Sequence, residues 1–183
     1  SAPAGTFIGY ADKFDTHAWL GLPFAKAPVG PLRWRAPVAA AAQHGVVQAL
    51  KYQPPCVQFW SPLSGVAGEE GQVAGSEDCL YLNVWAPRFD QALMPVAGQR
   101  LPVMVWIHGG GNTIGTANSY VGHHLSGSQK VVYVALSYRL GILGWFGHAS
   151  IRASSETAED ASGHYGVLDL IAASGDQNFD DGR

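Results

Sequence analysis

One short segment of the sequence has the residue types that acyl-transfer chemistry requires. His108-Gly109-Gly110-Gly111-Asn112 directly follows an apolar run, Val103-Met-Val-Trp-Ile107. Three consecutive glycines let the backbone adopt conformations closed to other residues, and they let a ligand approach the backbone N–H groups closely. Such a loop can direct two amides at the carbonyl oxygen on which negative charge develops during acyl transfer. The alternative interpretation is a flexible turn in which His108 only makes a structural hydrogen bond.

Other polar clusters contain residue types that could supply a nucleophile, a base or metal ligands. Ser162, His164 and Asp169 are close in sequence, but a catalytic triad needs all three side chains aligned within hydrogen-bond reach, so these residues are expected to line a turn. His123 and His124 are adjacent, and on a helix their side chains diverge, which disfavours a shared metal ion. No metal or cofactor is predicted. Two acidic pairs lie in loop-like sequence and are expected to be solvated: Glu69-Glu70 and Glu77-Asp78.

Apolar patterning predicts the elements that position the glycines. The runs at 103–107 and 131–136 are continuous and flanked by turn residues, as in strands that are buried on both faces of a sheet. Their separation excludes a tight hairpin and allows a parallel crossover, for which residues 118–125 could supply a short capped helix.

The remaining strands are predicted to be antiparallel. Residues 5–10 and 80–85 alternate in polarity, whereas 20–31 and 50–78 are punctuated by Pro and Gly and are predicted to be turns and extended chain. The sequence therefore predicts an α/β fold in which antiparallel edge strands lead into a parallel core sheet.

Composition limits the classes of protein to which the chain can belong. The 183 residues are 47% hydrophobic and 14% charged, with a net charge of -3, which fits one packed domain over 1–183. Lys and Arg are few and scattered, so no nucleic-acid partner is expected. No apolar run is long enough to span a membrane. Cys56 and Cys79 are the only cysteines, and composition alone leaves open whether they are free thiols or a bridge.

Five ordered segments together resemble type-B carboxylesterases and cholinesterases, in the N-terminal portion of that family. They are the EDCLYLNVW-P-like segment 75–87, the FLGIPYA-PPVG-LRF-like segment 20–34, the PV-VWIHGGG-like segment 102–111, the NYRLG--GF-like segment 137–146 and the GN-GLLDQ-like segment 163–169.

The resemblance implies an α/β-hydrolase fold and hydrolysis of small-molecule carboxylic esters by a Ser-His-Glu/Asp triad. Carried over residue by residue, Gly110 and Gly111 are the expected oxyanion-hole amides. Cys56 and Cys79 fall where the family closes a loop with a disulfide, which implies a secreted or periplasmic protein.

The chain departs from the family after Leu170. No Gly in the 183 residues is followed by Ser two positions on and Gly four positions on, so the Gly-x-Ser-x-Gly nucleophile elbow is absent. Residues 171–183 are interpreted as a divergent polar tail. Two interpretations of this tail are open. In the first, the helix that follows in the family is deleted at the start of the tail. In the second, residues 169–173 begin that helix and an unrelated polar tail follows.

Three functional hypotheses follow. The chain is predicted to be a carboxylic ester hydrolase that needs a complementary chain for full activity, and its unpaired sheet edge predicts a homo-oligomer or a bound hydrolase fragment. The alternatives are a non-catalytic cholinesterase-like binding module, and a weak hydrolase that uses an unrecognised nucleophile, with Ser162 and Ser174 as candidates.

Overall fold

The computed structural model describes residues 5–42, 45–89 and 100–175. Nine strands lie in these ranges: β1 (Thr6–Ile8), β2 (Tyr10–Asp12), β3 (Thr16–Pro23), β4 (Val46–Gln48), β5 (Gln58–Phe59), β6 (Val73–Ala74), β7 (Tyr81–Pro87), β8 (Val103–Ile107) and β9 (Val132–Leu136). The described helices are α1 (His123–Gln129), α2 (Gly141–Gly144), α3 (Ala149–Ala153), α4 (Ala158–Ala161) and α5 (Tyr165–Ala173), with 3₁₀ turns at Gly30–Leu32 and Ala117–Ser119. Among these helices, none has the length and apolarity needed to cross a bilayer.

A five-stranded mixed sheet of order β2-β3-β7-β9-β8 forms the centre of the fold. The β2–β3, β3–β7 and β7–β9 pairs are antiparallel, and the β8–β9 pair is parallel. The predicted α/β architecture, in which antiparallel strands lead into a parallel pair, is therefore confirmed. Two small sheets, β1–β4 and β5–β6, lie outside the central one.

The core consists of two buried clusters whose members alternate along β9. Tyr133 and Ala135 belong to one cluster with Trp85, and Leu136 belongs to the other with Leu80. Because successive side chains of a strand point to opposite faces, the two clusters line the two faces of the sheet. The helices α1 and α5 contribute to different clusters, through Leu125 and Leu170 respectively.

The prediction that 103–107 is buried on both faces is wrong for this chain. Every residue of β8 is exposed, from 39% at Trp106 to 61% at Val103, because β8 is the edge strand and pairs only with β9 among the described residues. The prediction for 131–136 holds better, since Leu136 is 1% exposed and Ala135 is 0% exposed.

Two predictions about the N-terminal strands also need correction. The segment predicted as one antiparallel strand, 5–10, is divided between β1, which pairs in parallel with β4, and β2. The strand β3 extends to Pro23 and so includes the start of the region 20–31 that the sequence predicts as turns and extended chain. It carries an irregularity between Trp19 and Leu22. The predicted strand at 80–85 is confirmed as β7, which extends through Pro87.

The start of the predicted tail is helical. Residues 169–173 are helical, but they end α5, which begins at Tyr165. This segment therefore continues a helix and does not begin one. The rest of the predicted tail, residues 176–183, lies outside the described residues.

Candidate active site

The glycine loop, residues 108–115, follows the carboxyl end of β8. Its first residue, His108, is 2% exposed and its ring stacks on that of Tyr138, with centroids 4.5 Å apart. The Tyr138 hydroxyl donates a hydrogen bond of 2.8 Å to the backbone carbonyl of His108. Tyr138 lies just after β9, so the neighbouring parallel strand anchors the point at which the loop begins.

The histidine of this loop is a structural residue and not a general base. Burial lowers the pKa of His108, and its contact with the Gly109 carbonyl opposes that fall. Nδ1 lies 2.9 Å from the Gly109 oxygen, and because a carbonyl oxygen only accepts, this contact places the ring proton on Nδ1. The imidazole is therefore neutral at pH 7 and is engaged with the backbone of its own loop.

Two carbonyl contacts fix the directions of two neighbouring N–H groups. A peptide unit is planar, so the oxygen of one residue and the N–H of the next are held in one plane. The Gly109 oxygen accepts a hydrogen bond from His108 Nδ1, and this contact orients the Gly110 N–H. The Gly110 oxygen accepts from the backbone N–H groups of Thr113 at 3.1 Å and Ile114 at 3.2 Å, which orients the Gly111 N–H.

The same two N–H groups have no partner. Within the described ranges, neither the Gly110 amide nor the Gly111 amide donates a hydrogen bond. Gly110 has φ +117°, and a Cβ there would lie 2.0 Å from the Ile114 oxygen, so only glycine fits. Gly111 has φ +60° and faces open space, because a Cβ there would meet nothing within 4 Å. The loop therefore presents two oriented, unpaired donors beside an open volume.

A cavity lies against this loop. Its volume is about 290 Å³, near the lower end of the range for small-molecule sites. Its lining combines apolar side chains with hydroxyls and glycine backbone: Leu63, Ser64, Gly65, Gly109, Gly110, Ile114, Gly115, Thr116, Ser119 and Tyr120.

Two further contacts hold the loop from outside β8 and β9. The Asn112 carbonyl accepts from the Gly141 N–H at 2.7 Å, which ties the loop to the start of α2. Gly115 is bound by the side chain of Gln58. Sequence reasoning missed both Gln58 and Tyr138, since an isolated Gln in a Pro- and Gly-rich stretch, or a Tyr after an apolar run, gives no signal of such contacts.

The predicted disulfide is present. Cys56 and Cys79 are bonded, and both are buried, at 3% and 1% exposure. The bridge closes the loop that carries Gln58 and Leu63, so it bounds the segment that forms one wall of the cavity.

The structure does not bring Ser162, His164 and Asp169 together as a triad. Asp169 is 0% exposed and binds Arg139, while the Ser162 oxygen accepts from the backbone N–H of His164. The other candidate nucleophile, Ser174, donates to the Leu170 carbonyl at the end of α5. Neither hydroxyl contacts an imidazole or a carboxylate in the parts of the chain that are described, so neither is activated there.

The remaining polar candidates have structural contacts. His123 lies 3.2 Å from Asp12, and the described residues contain no group of three or more potential metal ligands. Glu77 and Asp78 are predicted to be solvated; Asp78 is exposed as predicted, whereas the Glu77 side chain is only 23% exposed. Glu77 pairs with Arg33, and Asp78 accepts from the Tyr81 hydroxyl at 2.8 Å.

Comparison with known proteins places these features in one family. The sequence pattern of the carboxylesterase family matches residues 3–173. A medium-chain fatty acyl-CoA hydrolase precursor of Anas platyrhynchos is 39% identical over 180 residues, which covers 92% of this chain and 30% of that protein. Fumonisin B1 esterase of Sphingopyxis macrogoltabida is 39% identical over 161 residues, covering 87% of this chain and 27% of that protein.

Solved structures agree with the sequence relatives. A PNB esterase superposes with a TM-score of 0.73 at 37% identity, over 91% of this chain and 32% of that one. A carboxylesterase of Geobacillus stearothermophilus gives a TM-score of 0.70 at 32% identity, over 91% of this chain and 31% of that one. The chain thus spans about 30% of the length of these relatives. On the combined agreement of sequence and fold, the chain belongs to the carboxylesterase family and has the α/β-hydrolase fold.

Proposed function

We propose that this chain supplies the oxyanion hole of a carboxylic ester hydrolase, with Gly110 and Gly111 as the two donors. The nucleophile then comes from a Gly-x-Ser-x-Gly elbow on a complementary polypeptide segment, since these 183 residues contain none. One observation carries the proposal: the two N–H groups are unpaired and oriented by their neighbouring carbonyls, and the loop that holds them lines a cavity at Gly109 and Gly110.

The chemistry assigned to the loop is the stabilisation of charge. When a serine oxygen attacks the carbonyl carbon of an ester, the electron pair of the C=O bond moves to the carbonyl oxygen. Two N–H groups that already point at that oxygen stabilise the resulting negative charge without reorganisation. Each donor of this kind contributes on the order of 10²–10³ in kcat.

Family membership supports the choice of ester hydrolysis. Among its relatives are proteins described as a fumonisin B1 esterase and a fatty acyl-CoA hydrolase precursor. A small-molecule carboxylic ester or related thioester is the substrate class we propose. We further propose one hydrolase domain over 1–183, outside the cytosol, because disulfides such as Cys56–Cys79 persist in oxidising compartments.

A second candidate is a non-catalytic binding module. Such a module would need the fold and the cavity of these 183 residues but no nucleophile elbow. A binding module has no requirement for donors aimed at a developing oxyanion, so measurement of catalysis after complementation discriminates between the two.

Hydrolysis of p-nitrophenyl acetate and labelling by a fluorophosphonate serine probe test the proposal. The chain alone is expected to give only weak turnover and no stoichiometric label. A second polypeptide that carries the Gly-x-Ser-x-Gly elbow and the rest of the triad is then added. The mixture is expected to hydrolyse the ester, and the probe is expected to label the serine of the added polypeptide. If the chain alone turns over rapidly, with one of its own serines labelled, the external nucleophile is wrong. A complemented pair that binds but does not hydrolyse supports the binding module.

The role of the loop is tested by Gly110→Ala in the complemented pair. The Ala Cβ would meet the Ile114 carbonyl at 2.0 Å, so the N–H must turn and kcat should fall by about 10²–10³. Gly71→Ala is the matched control, because Gly71 also has positive φ, at +81°, but lies in open space. Equal kcat for the two variants would contradict the proposed oxyanion hole.

A further inference from the structure

The carboxamide of Gln58 is a buried connector between two loops. Gln58 is 4% exposed. Its Oε1 accepts from the Gly115 N–H at 2.8 Å, and its Nε2 donates to the Gly115 carbonyl at 2.8 Å. The second proton of Nε2 goes to the Cys56 carbonyl at 3.0 Å. Both donors and the acceptor of the side chain are therefore used, all on backbone groups.

Gly115 in turn packs directly on the start of the glycine loop. A Cβ on Gly115 would lie 2.4 Å from His108 Nδ1 and 2.6 Å from the Gly109 oxygen. These short approaches mean that the Gly115 backbone is the wall against which the His108–Gly109 hydrogen bond is held. Displacement of Gly115 would therefore remove the packing on the hydrogen bond by which His108 holds the Gly109 carbonyl.

The direction of the Gly110 N–H depends on that carbonyl. Because the peptide unit between Gly109 and Gly110 is planar, a rotation that moves the Gly109 oxygen turns the Gly110 N–H by the same angle. A chain of contacts thus runs from Gln58 to Gly115, then to the Gly109 oxygen, and ends at a proposed catalytic donor.

We infer that Gln58 is a positioning residue that sets the direction of the Gly110 N–H from the disulfide-closed loop 56–79. The inference rests on the proposed function for its catalytic consequence but not for its structural one. The Gln58 side chain is also held by its own loop, because Nε2 donates to the carbonyl of Cys56, and Cys56 is disulfide-bonded to Cys79. The disulfide, Gln58 and the glycine loop are then parts of one support.

Three substitutions separate hydrogen bonding from packing. Gln58→Met keeps the length of the side chain but removes all three hydrogen bonds. Gln58→Glu keeps the acceptor for Gly115 N–H, but its ionised carboxylate faces the carbonyls of Gly115 and Cys56 and can donate to neither until it is protonated. Gln72→Glu is the matched control, since Gln72 lies in the same loop but is exposed.

The first readout is the amide spectrum of the ¹⁵N-labelled chain. In Gln58→Met, the Gly115 and Gly110 amide peaks should both move, while the peak of Gly127, whose neighbour is Phe14, stays in place. In Gln58→Glu, lowering the pH from 8 to 4 should return the Gly110 peak toward its wild-type position. The wild type and Gln72→Glu share the titration of His108 and provide the baseline for that comparison.

The second readout is kcat of the pair formed with the complementary polypeptide. Misplacement of a donor by about 1 Å costs up to roughly 10²-fold, so Gln58→Met should lower kcat between tenfold and 100-fold. KM should stay unchanged, because the interaction is made only in the transition state.

The outcomes separate this inference from the proposed function. If the wild-type pair is inactive but the Gly110 peak follows Gln58, the proposed function fails and the positioning role stands. A Gly110 peak that stays fixed while the Gly115 peak moves overturns the positioning role, as does an unchanged kcat in an active pair. If Gln58→Met and protonated Gln58→Glu both fail to fold, the inference is also overturned, because Gln58 is then needed by the whole fold.

Discussion

Replacement of Asp169 by Asn tests how much stability comes from one buried ion pair that lies next to the residues that hold the glycine loop. Asp169 is 0% exposed and Arg139 is 3% exposed. The Asp169 carboxylate accepts from the Arg139 backbone N–H at 3.0 Å, from Nε at 2.8 Å and from Nη2 at 2.6 Å. Burial raises the pKa of the Asp169 carboxyl, and the Arg139 guanidinium opposes that rise.

The pair lies between two contacts with the glycine loop. Arg139 directly follows Tyr138, which binds the His108 carbonyl, and it is two residues before Gly141, which binds the Asn112 carbonyl. Movement of Arg139 should therefore disturb the loop both at its start, His108, and at its middle, Asn112.

The expected cost of Asp169→Asn follows from what remains buried. Asn keeps one acceptor oxygen but presents an NH₂ group to a guanidinium that only donates, and it removes the negative charge. Breaking a buried pair in this way costs about 3–5 kcal/mol, because the surviving charge is uncompensated. The free energy of unfolding of an ordinary domain is about 5–15 kcal/mol, so the variant should lose a large fraction of its stability.

Urea unfolding followed by circular dichroism measures this cost. The midpoint should fall while the slope of free energy against urea stays the same. The single changes Arg139→Met and Asp169→Leu should each destabilise the chain as well, but the double variant that combines these two changes should cost no more than either of them alone. Apolar replacement of both partners removes the uncompensated charge.

Additivity is the result that would refute this reasoning. If the two single costs simply sum in the double variant, the residues are energetically independent. Glu77→Gln is a useful comparison, because its partner Arg33 is solvent-exposed and the loss of that pair should cost less than the loss of the buried one.

Three further predictions concern the bridge, the loop histidine and the sheet edge. Replacement of Cys56 and Cys79 by Ser should cost about 3 kcal/mol for a separation of 23 residues, and titration of denatured, unreduced wild-type protein should detect no thiol; two thiols would contradict the bridge. Burial lowers the pKa of His108, so as the pH falls the unfolded state binds a proton before the folded state does. The free energy of unfolding should therefore fall as the pH drops below about 6.5. A His108→Gln variant whose stability has the same pH dependence as the wild type would refute this. Val105, 44% exposed on the β8 edge, should contribute to self-association, so Val105→Lys should lower the apparent mass in light scattering, whereas a wild-type monomer at all concentrations would contradict the prediction.

The sequence predicted the central strands well because their signal is local. The alternation at 80–85 and the apolar runs at 103–107 and 131–136 match β7, β8 and β9 closely. By contrast, β3 was partly missed. Its buried positions include the small or polar residues Thr16 and Ala18, while the larger Trp19 is only half-buried, so hydropathy does not follow its pleat.

Burial of β8 was predicted wrongly for a physical reason. A continuous apolar run indicates a strand whose side chains pack against other elements on both faces. It does not indicate whether those packing elements lie among the described residues of this chain. β8 pairs with β9 on one side and has no described partner on the other. The apolar character of Met104 and Trp106 is therefore retained at 43% and 39% exposure.

The glycine motif was visible in sequence, but its supports were not. Gln58, Arg139 and Asp169 are polar residues whose burial depends on partners 30 or more positions away. No periodicity marks them, because each is buried by a specific hydrogen bond and not by an apolar stripe. Such residues are found only once the fold has placed their partners.

The position of these supports makes a specific kinetic expectation for complementation. Gln58, Tyr138 and Gly141 all belong to this chain, and together they hold the glycine loop from three sides. The donors of the proposed oxyanion hole are thus set before any complementary polypeptide arrives. Pre-set donors stabilise the transition state without reorganisation, so the proportion of complemented protein, and not kcat, should rise with the concentration of the added polypeptide. A kcat that itself climbs with that concentration after correction for the bound fraction would mean that the loop is ordered only on association, contrary to the contacts described above.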